Sequence, residues 1–335
     1  MSNTTIRVLA QKLGLSIGTV SKALRDSYEI SSDTKEKVLT LARELNYVPN
    51  PYAGSLRKGK SKTIAVVLPE VADSFFSLAI NGIEAVAQEK GYHVLIYLTH
   101  ESFVKEINIL KDFQSGRVDG ILLSVSDETS NSDHVKKVIA AGIPVVFFDR
   151  ICEDVDTARI ITDDFESSYN ATCHLLQKGC KRIAYLSISA NLSISNNRME
   201  GYKKALEDHG ASHAPCIVQC SNDLESNKEI IRNMLKNKVI PDGIIASVEK
   251  LTAAIYLVCK ELGLSIPSAI KVISFTNLQS AAILNPALTT VTQPAFEMGK
   301  TAATVLFKAL GKKSINLKRE SVVIPSLLVQ RDSTD

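Results

Sequence analysis

Residues Gly54 to Pro69 read GSLRKGKSKTIAVVLP, and their first eight letters satisfy the phosphate-loop pattern G-x-x-x-x-G-K-[ST]. A phosphate loop needs a buried strand before it and a helix after it, so that backbone N–H groups and a helix N-terminus cradle the phosphates. Here the order is inverted. Pro49 and Pro51 exclude a central strand upstream, and the β-branched run TIAVVL downstream reads as a strand. The stretch is therefore a boundary between two different kinds of sequence, and nucleotide hydrolysis is excluded.

Upstream lies a basic head. Residues 1 to 60 hold ten Lys/Arg and five Asp/Glu, whereas the whole 335-residue chain carries only +3. A basic head on a mildly acidic body points to a polyanion partner for the head. Ile6, Leu9, Ala10 and Leu13 recur at helical spacing after Thr4 and Thr5, either of which can cap, and Gly14 ends that helix. Ser16 caps a second helix with Val20, Ala23 and Leu24 inward, and Ser31 or Ser32 caps a third through Val38, Leu41, Ala42 and Leu45. Ala10, Gly14 and Val20 have helix-turn-helix spacing: the small Ala permits close approach, Gly the left-handed turn, and Val fills the gap. The second helix then presents Ile17, Gly18, Ser21 and Lys22 to a major groove. An unrelated three-helix bundle would share the apolar spacing, though not the turn. Asn50 and Pro51 can start a short helix over 50 to 58, too short to be stable alone.

Downstream, short apolar runs alternate with amphipathic stretches: TIAVVLP, a helix, YHVLIYL, a helix near 103 to 115, VDGILLS, a further helix and IPVVFFD. A second series runs ARIIT, a helix near 165 to 178, RIAYLS, a helix near 196 to 209, PCIVQC, a helix near 224 to 236, DGIIAS, a helix near 249 to 262 and IKVISF. Such alternation predicts two doubly wound, parallel α/β subdomains, with ligands beyond the carboxyl ends of the strands. Those ends carry Asp73, Phe75 and Phe76, then Asp149 and Arg150, and Arg198 opens a helix in the second series. Aromatics can cover a sugar ring or base, and Asp and Arg can grip hydroxyls or a carboxylate; plain core and surface ion pairs are the structural alternatives.

LGLSIGTVSKAL, LNYVPNPYAGSLRKGKSKTIAVVLP, GRVDGILL, AGIPVVFFDR, KGCKRIAYL, RMEGYKKAL and NPALTTVTQP, in that order, resemble the lactose-repressor family of bacterial transcription regulators over essentially the full length. The resemblance implies a helix-turn-helix domain (1–49), a hinge helix and linker (50–61), and a core of periplasmic-binding-protein type. In that core, 62–162 with 294–322 and 163–293 with 323–335 form two subdomains joined by three crossings. It implies base reading by Ile17, Gly18 and Lys22, phosphate contacts by Thr19, Ser21 and Asn50, and a minor-groove wedge at Leu56; beside that wedge the basic Arg57, Lys58 and Lys60 are placed to neutralise backbone phosphates. It also implies effector contacts by Asp73, Phe75, Phe76, Asp149, Arg150, Arg198, Thr276 and Gln293. Thr276 stands where the family has aspartate, Val248-Glu249 where it has Asn-Asp, and Gly54 where Arg is frequent, so two hydroxyl-gripping groups are expected to be missing.

The function so implied is a homodimeric, effector-controlled regulator, by family habit a repressor, that binds double-stranded DNA at a near-palindromic operator. The effector class implied is a carbohydrate or derivative. A carbohydrate receptor without a regulatory role is the alternative, and an export signal or a degenerate head would mark it. MSNTTIRVLAQKLGLS shows neither, and no 18-residue uncharged apolar run occurs, so a cytoplasmic protein without membrane contact is expected. No catalytic residue, cofactor or metal is expected: G-x-S-x-G and H-E-x-x-H are absent, and the six dispersed cysteines read as reduced, mostly buried thiols.

Overall fold

A computed structural model describes residues 5–47, 61–189, 191–211, 214–311 and 315–335. Asn50, Leu56 and Arg57, with the rest of the linker helix expected over 50 to 58, lie outside the described residues. Two compact units emerge, Met1–Ser61 and Lys62–Asp335.

The first unit holds three helices, α1 (Ile6–Leu13), α2 (Ile17–Ala23) and α3 (Ser32–Glu44). Their shared core is Leu9, Ala10, Val20, Ala23, Val38 and Ala42. Gly14 turns the chain at φ 63°, and the Leu15 N–H returns to the Ala10 carbonyl at 3.0 Å, closing α1 as the sequence requires. Ser16 caps α2, its hydroxyl accepting from the Thr19 N–H at 3.0 Å. At the other two helix starts the expected residues, Thr5 and Ser31, occupy the cap position without a side-chain cap bond; the Ser31 hydroxyl pairs instead with that of Thr34, 2.9 Å away.

The second unit contains two six-stranded sheets. The first has the order β11-β5-β4-β3-β1-β2, where β1 is Thr63–Leu68, β2 His93–Leu98, β3 Gly120–Leu123, β4 Val145–Phe148, β5 Arg159–Thr162 and β11 Val322–Ile324. The second has the order β12-β10-β9-β8-β6-β7, where β6 is Ile183–Ser187, β7 Cys216–Gln219, β8 Gly243–Ala246, β9 Lys271–Phe275, β10 Thr289–Thr292 and β12 Leu327–Val329. Every pairing is parallel except β10 with β12. Helices cover both faces, and the alternation within β1 shows why its sequence is continuously apolar. Ile64, Val66 and Leu68 enter the core on one face, Ala65 and Val67 that on the other. The outer strands β2 and β7 are half-exposed instead.

Because β11 pairs with β5, the third crossing lies between Ile324 and Leu327; the boundary expected at 322 falls inside a strand of the first sheet. The helix Ala295–Gly311 follows the second crossing and lies against the helix Ser74–Glu89 at backbone contact. A Cβ on Gly82 would sit 2.1 Å from the Phe296 carbonyl oxygen, and one on Gly299 2.0 Å from that of Ala79. Gly82→Ala must separate two helices of the first subdomain, and a loss of about 1–3 kcal/mol is expected in urea unfolding; an unchanged midpoint would contradict this contact.

Candidate functional site

The sequence nominates two sites. In the first unit, Ile17 is 39% exposed at the start of α2, beside exposed Gly18 and Lys22 and half-buried Thr19 and Ser21. Three of the polar groups already have partners. The Thr19 hydroxyl lies 2.9 Å from that of Ser16, Arg25 donates to the Ser21 hydroxyl at 3.2 Å and to its carbonyl at 3.0 Å, and Lys22 forms an ion pair with Glu29. The partner Glu29 leaves no local signal in the sequence: it stands seven residues beyond Lys22, past the end of α2, outside the three- and four-residue spacing at which helix side chains meet. A nucleic acid engaging Lys22 must displace an exposed pair, which is a small obstacle.

In the second unit, Asp73, Phe75, Phe76, Asp149, Arg150, Arg198, Thr276 and Gln293 all line one cleft between the two sheets' subdomains. Asp73 caps the helix Ser74–Glu89, accepting from the Phe75 N–H at 2.9 Å. Phe75 and Phe76 are 6% and 3% exposed and belong to the core as well as to the cleft wall; they meet edge to face at 5.3 Å, and the Arg150 guanidinium sits 5.8 Å from the Phe76 ring centre. At the end of β4, Asp149 takes φ 62°, a left-handed conformation that a non-glycine residue keeps only when its surroundings impose it. Arg150 donates to both oxygens of Glu101, at 3.0 and 2.9 Å. Burial pulls the Arg150 guanidinium down, but Glu101 and Asp149 outweigh it and leave it above its ordinary value.

Arg198 lies in the second turn of the helix Ser193–Asp208, which starts earlier than expected, so Arg198 does not open it. The residue is buried: Nε donates to Asp164 at 2.8 Å, Nη1 to the Ser247 carbonyl at 2.7 Å, and the guanidinium lies 4.2 Å from the Phe275 ring centre. Its Nη2 is buried without a hydrogen-bond partner. Gln293 donates to Asp149 at 3.4 Å, and its carbonyl accepts from Asn277 at 2.6 Å.

From the sequence alone, Val248-Glu249 is a departure from the family's Asn-Asp. In the structure Glu249 spans the cleft. Its carboxylate accepts from the Ser74 N–H at 3.2 Å and the Ser74 hydroxyl on the first subdomain. On the second it accepts from the Thr276 hydroxyl at 2.6 Å and the Asn277 N–H at 3.3 Å. Thr276 thus hydrogen-bonds Glu249 within the cleft wall. Other contacts between the subdomains include Lys250 with Glu70 at 3.0 Å, Ser189 with Asp127, Gln293 with Asp149, and Leu192 and Ile194 packed into the core of the first. Glu101 and Asp127, also unnominated, follow β2 and β3, where the strand-end rule that found Asp73 and Asp149 would have found them.

Burial raises Asp73 to about 6, helped by the Glu249 and Asp149 carboxylates, and burial also raises Asp149. With its folded pKa above the unfolded value, Asp73 favours folding below the ordinary carboxylate range and loses that contribution as pH rises through about 6. Asp73→Asn keeps a capping side chain and removes the charge. It is expected to add about 1–2 kcal/mol of stability at pH 7.5 and little at pH 4; a gain independent of pH would contradict the assignment.

Among the described residues no helix is long and apolar enough to cross a membrane, and no group of three His, Cys, Asp or Glu side chains could hold a metal. All six cysteines are free thiols, three of them buried.

Comparison with known proteins gives a consistent result. Residues 61–331 match the family described as periplasmic binding proteins and sugar binding domain of LacI family, and residues 5–50 match bacterial regulatory proteins, lacI family. The HTH-type transcriptional regulator RegA of Clostridium saccharobutylicum is 28% identical over 334 residues, 99% of each chain. A ribose operon repressor of Halalkalibacterium halodurans is 29% identical over 331 residues, covering 99% of this chain and 97% of that one. In fold, the chain is similar to the lac repressor dimer bound to operator and an anti-inducer, with TM-score 0.86, 21% identity and 99% of each chain covered.

Proposed function

Because this chain belongs to the LacI family of bacterial regulatory proteins, we propose that it acts as a homodimeric repressor, each head reading one half-site of a near-palindromic operator. As a family member it is a DNA-binding transcriptional regulator controlled by a small-molecule effector. In the proposed reader, Ile17 meets a thymine methyl, Gly18 lets the backbone approach, and Lys22 donates to guanine or phosphate once released from Glu29. Thr19, Ser21, Asn50 and Arg57 hold phosphates, and Leu56 is the minor-groove wedge. The exposure of Ile17, Gly18 and Lys22 together on α2 supports the reader.

The proposed effector is a carbohydrate or derivative held in the cleft by Asp73, Phe75, Phe76, Asp149, Arg150, Arg198, Thr276 and Gln293. The single observation that carries this is the convergence of all eight on one cleft bridged by Glu249; the likeness to a ribose operon repressor supports the ligand class. A ligand that prefers one degree of cleft closure shifts that equilibrium, and with it the fitness of the dimer for its operator. The protein acts in the cytoplasm, where its DNA is, and we assign it no catalytic residue and no cofactor.

The test is retrieval of the operator. Full-length protein immobilised and exposed to sheared genomic DNA should retain fragments sharing a near-palindrome, with affinity falling steeply as salt rises. Leu56→Ala should weaken binding to that sequence at least about tenfold and to random DNA far less. Retention of random fragments alone would contradict the reading.

A further inference from the structure

The cleft carries more acid than base. Asp73, Glu101, Asp127, Asp149 and Glu249 line it, against Arg150, Arg198 and Lys250. Each cation already has a carboxylate of its own: Glu101 lies 2.9 Å from Arg150, Asp164 2.8 Å from Arg198 and Glu70 3.0 Å from Lys250. Asp73, Asp127 and Glu249 therefore hold no ion pair among the described residues, and Asp149 has only a share of Arg150 at 3.8 Å. Asp149 is 7% exposed and burial raises its pKa, so its ionised form is one that a neighbouring cation would stabilise with little screening by water.

This balance discriminates between ligand classes. A phosphorylated or carboxylated sugar would bring an anion into a surplus of carboxylates with every cation already engaged. A neutral sugar would leave the surplus as it is. A ligand ammonium would offset it where it is least screened. A second observation concerns the rest of the ligand: Arg198 is a lining residue of the cleft and its Nη2 is buried without an acceptor, a donor that a ligand oxygen would satisfy. Phe75 and Phe76 supply the apolar wall that a ring requires.

From this charge balance, and resting on the reading of the cleft as the effector site, we infer that the effector is a small polyhydroxylated amine, an amino sugar in its ammonium form. Its cation lies against Asp73 and Asp149 and a hydroxyl or ring oxygen accepts from Arg198 Nη2. Repulsion from Glu249 and Asp149 helps to hold Asp73 at about 6, and a bound ammonium reverses that effect. Binding therefore releases a proton from Asp73, and affinity rises as pH climbs through about 6, then falls again at alkaline pH where the ligand's ammonium loses its own proton.

The experiment is thermal unfolding and titration calorimetry of the full chain with glucosamine, galactosamine and mannosamine. Each is compared with its parent hexose, its N-acetyl derivative, which keeps the skeleton without the charge, and its 6-phosphate. At least one amino hexose should raise Tm. Its parent and N-acetyl derivative should bind at least about tenfold more weakly, the phosphate should not bind, and Asp149→Asn should remove most of the preference. A neutral or phosphorylated sugar that stabilises the protein as well or better overturns the cationic class while leaving the cleft as effector site. Silence from every amino sugar also overturns it. If a low-molecular-weight extract of the source cells then fails to change either Tm or operator affinity, the effector-site reading falls too.

Discussion

Replacing Arg198 with alanine is expected to lower the stability of the ligand-free protein by about 3–5 kcal/mol, read from urea unfolding at pH 7. The reason lies in what the alanine leaves behind. Arg198 and Asp164 are each 5% exposed and 2.8 Å apart, and removing the guanidinium strands a buried carboxylate. Burial already pushes Asp164 above the usual carboxylate range with Arg198 beside it, and the variant raises it further. A folded pKa above the unfolded one means a penalty that appears as pH rises, so the gap between variant and wild type should be widest near neutrality and narrow towards pH 4. Removing both charges, with Arg198→Met and Asp164→Leu together, should restore most of the stability, because no unpaired charge remains. Ligand-induced stabilisation should stay lost in that pair, since the free Nη2 donors are gone. A double variant as unstable as the single one would assign the cost to packing.

Glu249→Ala is expected to open the cleft. Its carboxylate accepts from Ser74 on one subdomain and from Thr276 and Asn277 on the other, and hydrogen bonds to a charged group contribute about 1.5–3 kcal/mol each. Losing even one of the two Ser74 contacts shifts the balance between closed and open forms by about 10- to 100-fold, even though the other contacts between the subdomains persist. Small-angle scattering should report a larger radius of gyration for the core. Asp73 should also titrate at a lower pH, because the Glu249 carboxylate is the chief charge holding it up. Unchanged scattering would place the closing force in the other contacts across the cleft.

The strands were legible because burial on both faces leaves an uninterrupted apolar run, as in TIAVVL and GILL. The third crossing was not. Val322–Ile324 and Leu327–Val329 are apolar triplets around a Pro-Ser pair, and which sheet each joins depends on partners far away in sequence. Likewise, strand ends pointed to Asp73 and Asp149, since chemistry at those positions follows from the fold alone. Glu249 escaped because it differs from the family's aspartate by one methylene, and the consequence, a bond to Ser74 across the cleft, is a property of three-dimensional distance. Arg198 was recognised by its neighbours in RMEGYKKAL, but its buried pairing with Asp164, thirty-four residues earlier, left no local trace.

If closure of the cleft governs DNA affinity, as proposed, it shows in the operator dissociation constant of Glu249→Ala beside wild type, on a retrieved operator and on random DNA, with scattering measured on the same samples. The opened variant should differ from wild type on operator by at least about tenfold, and on random DNA by much less. A variant that scattering shows to be open, yet binds the operator with wild-type affinity, would contradict it.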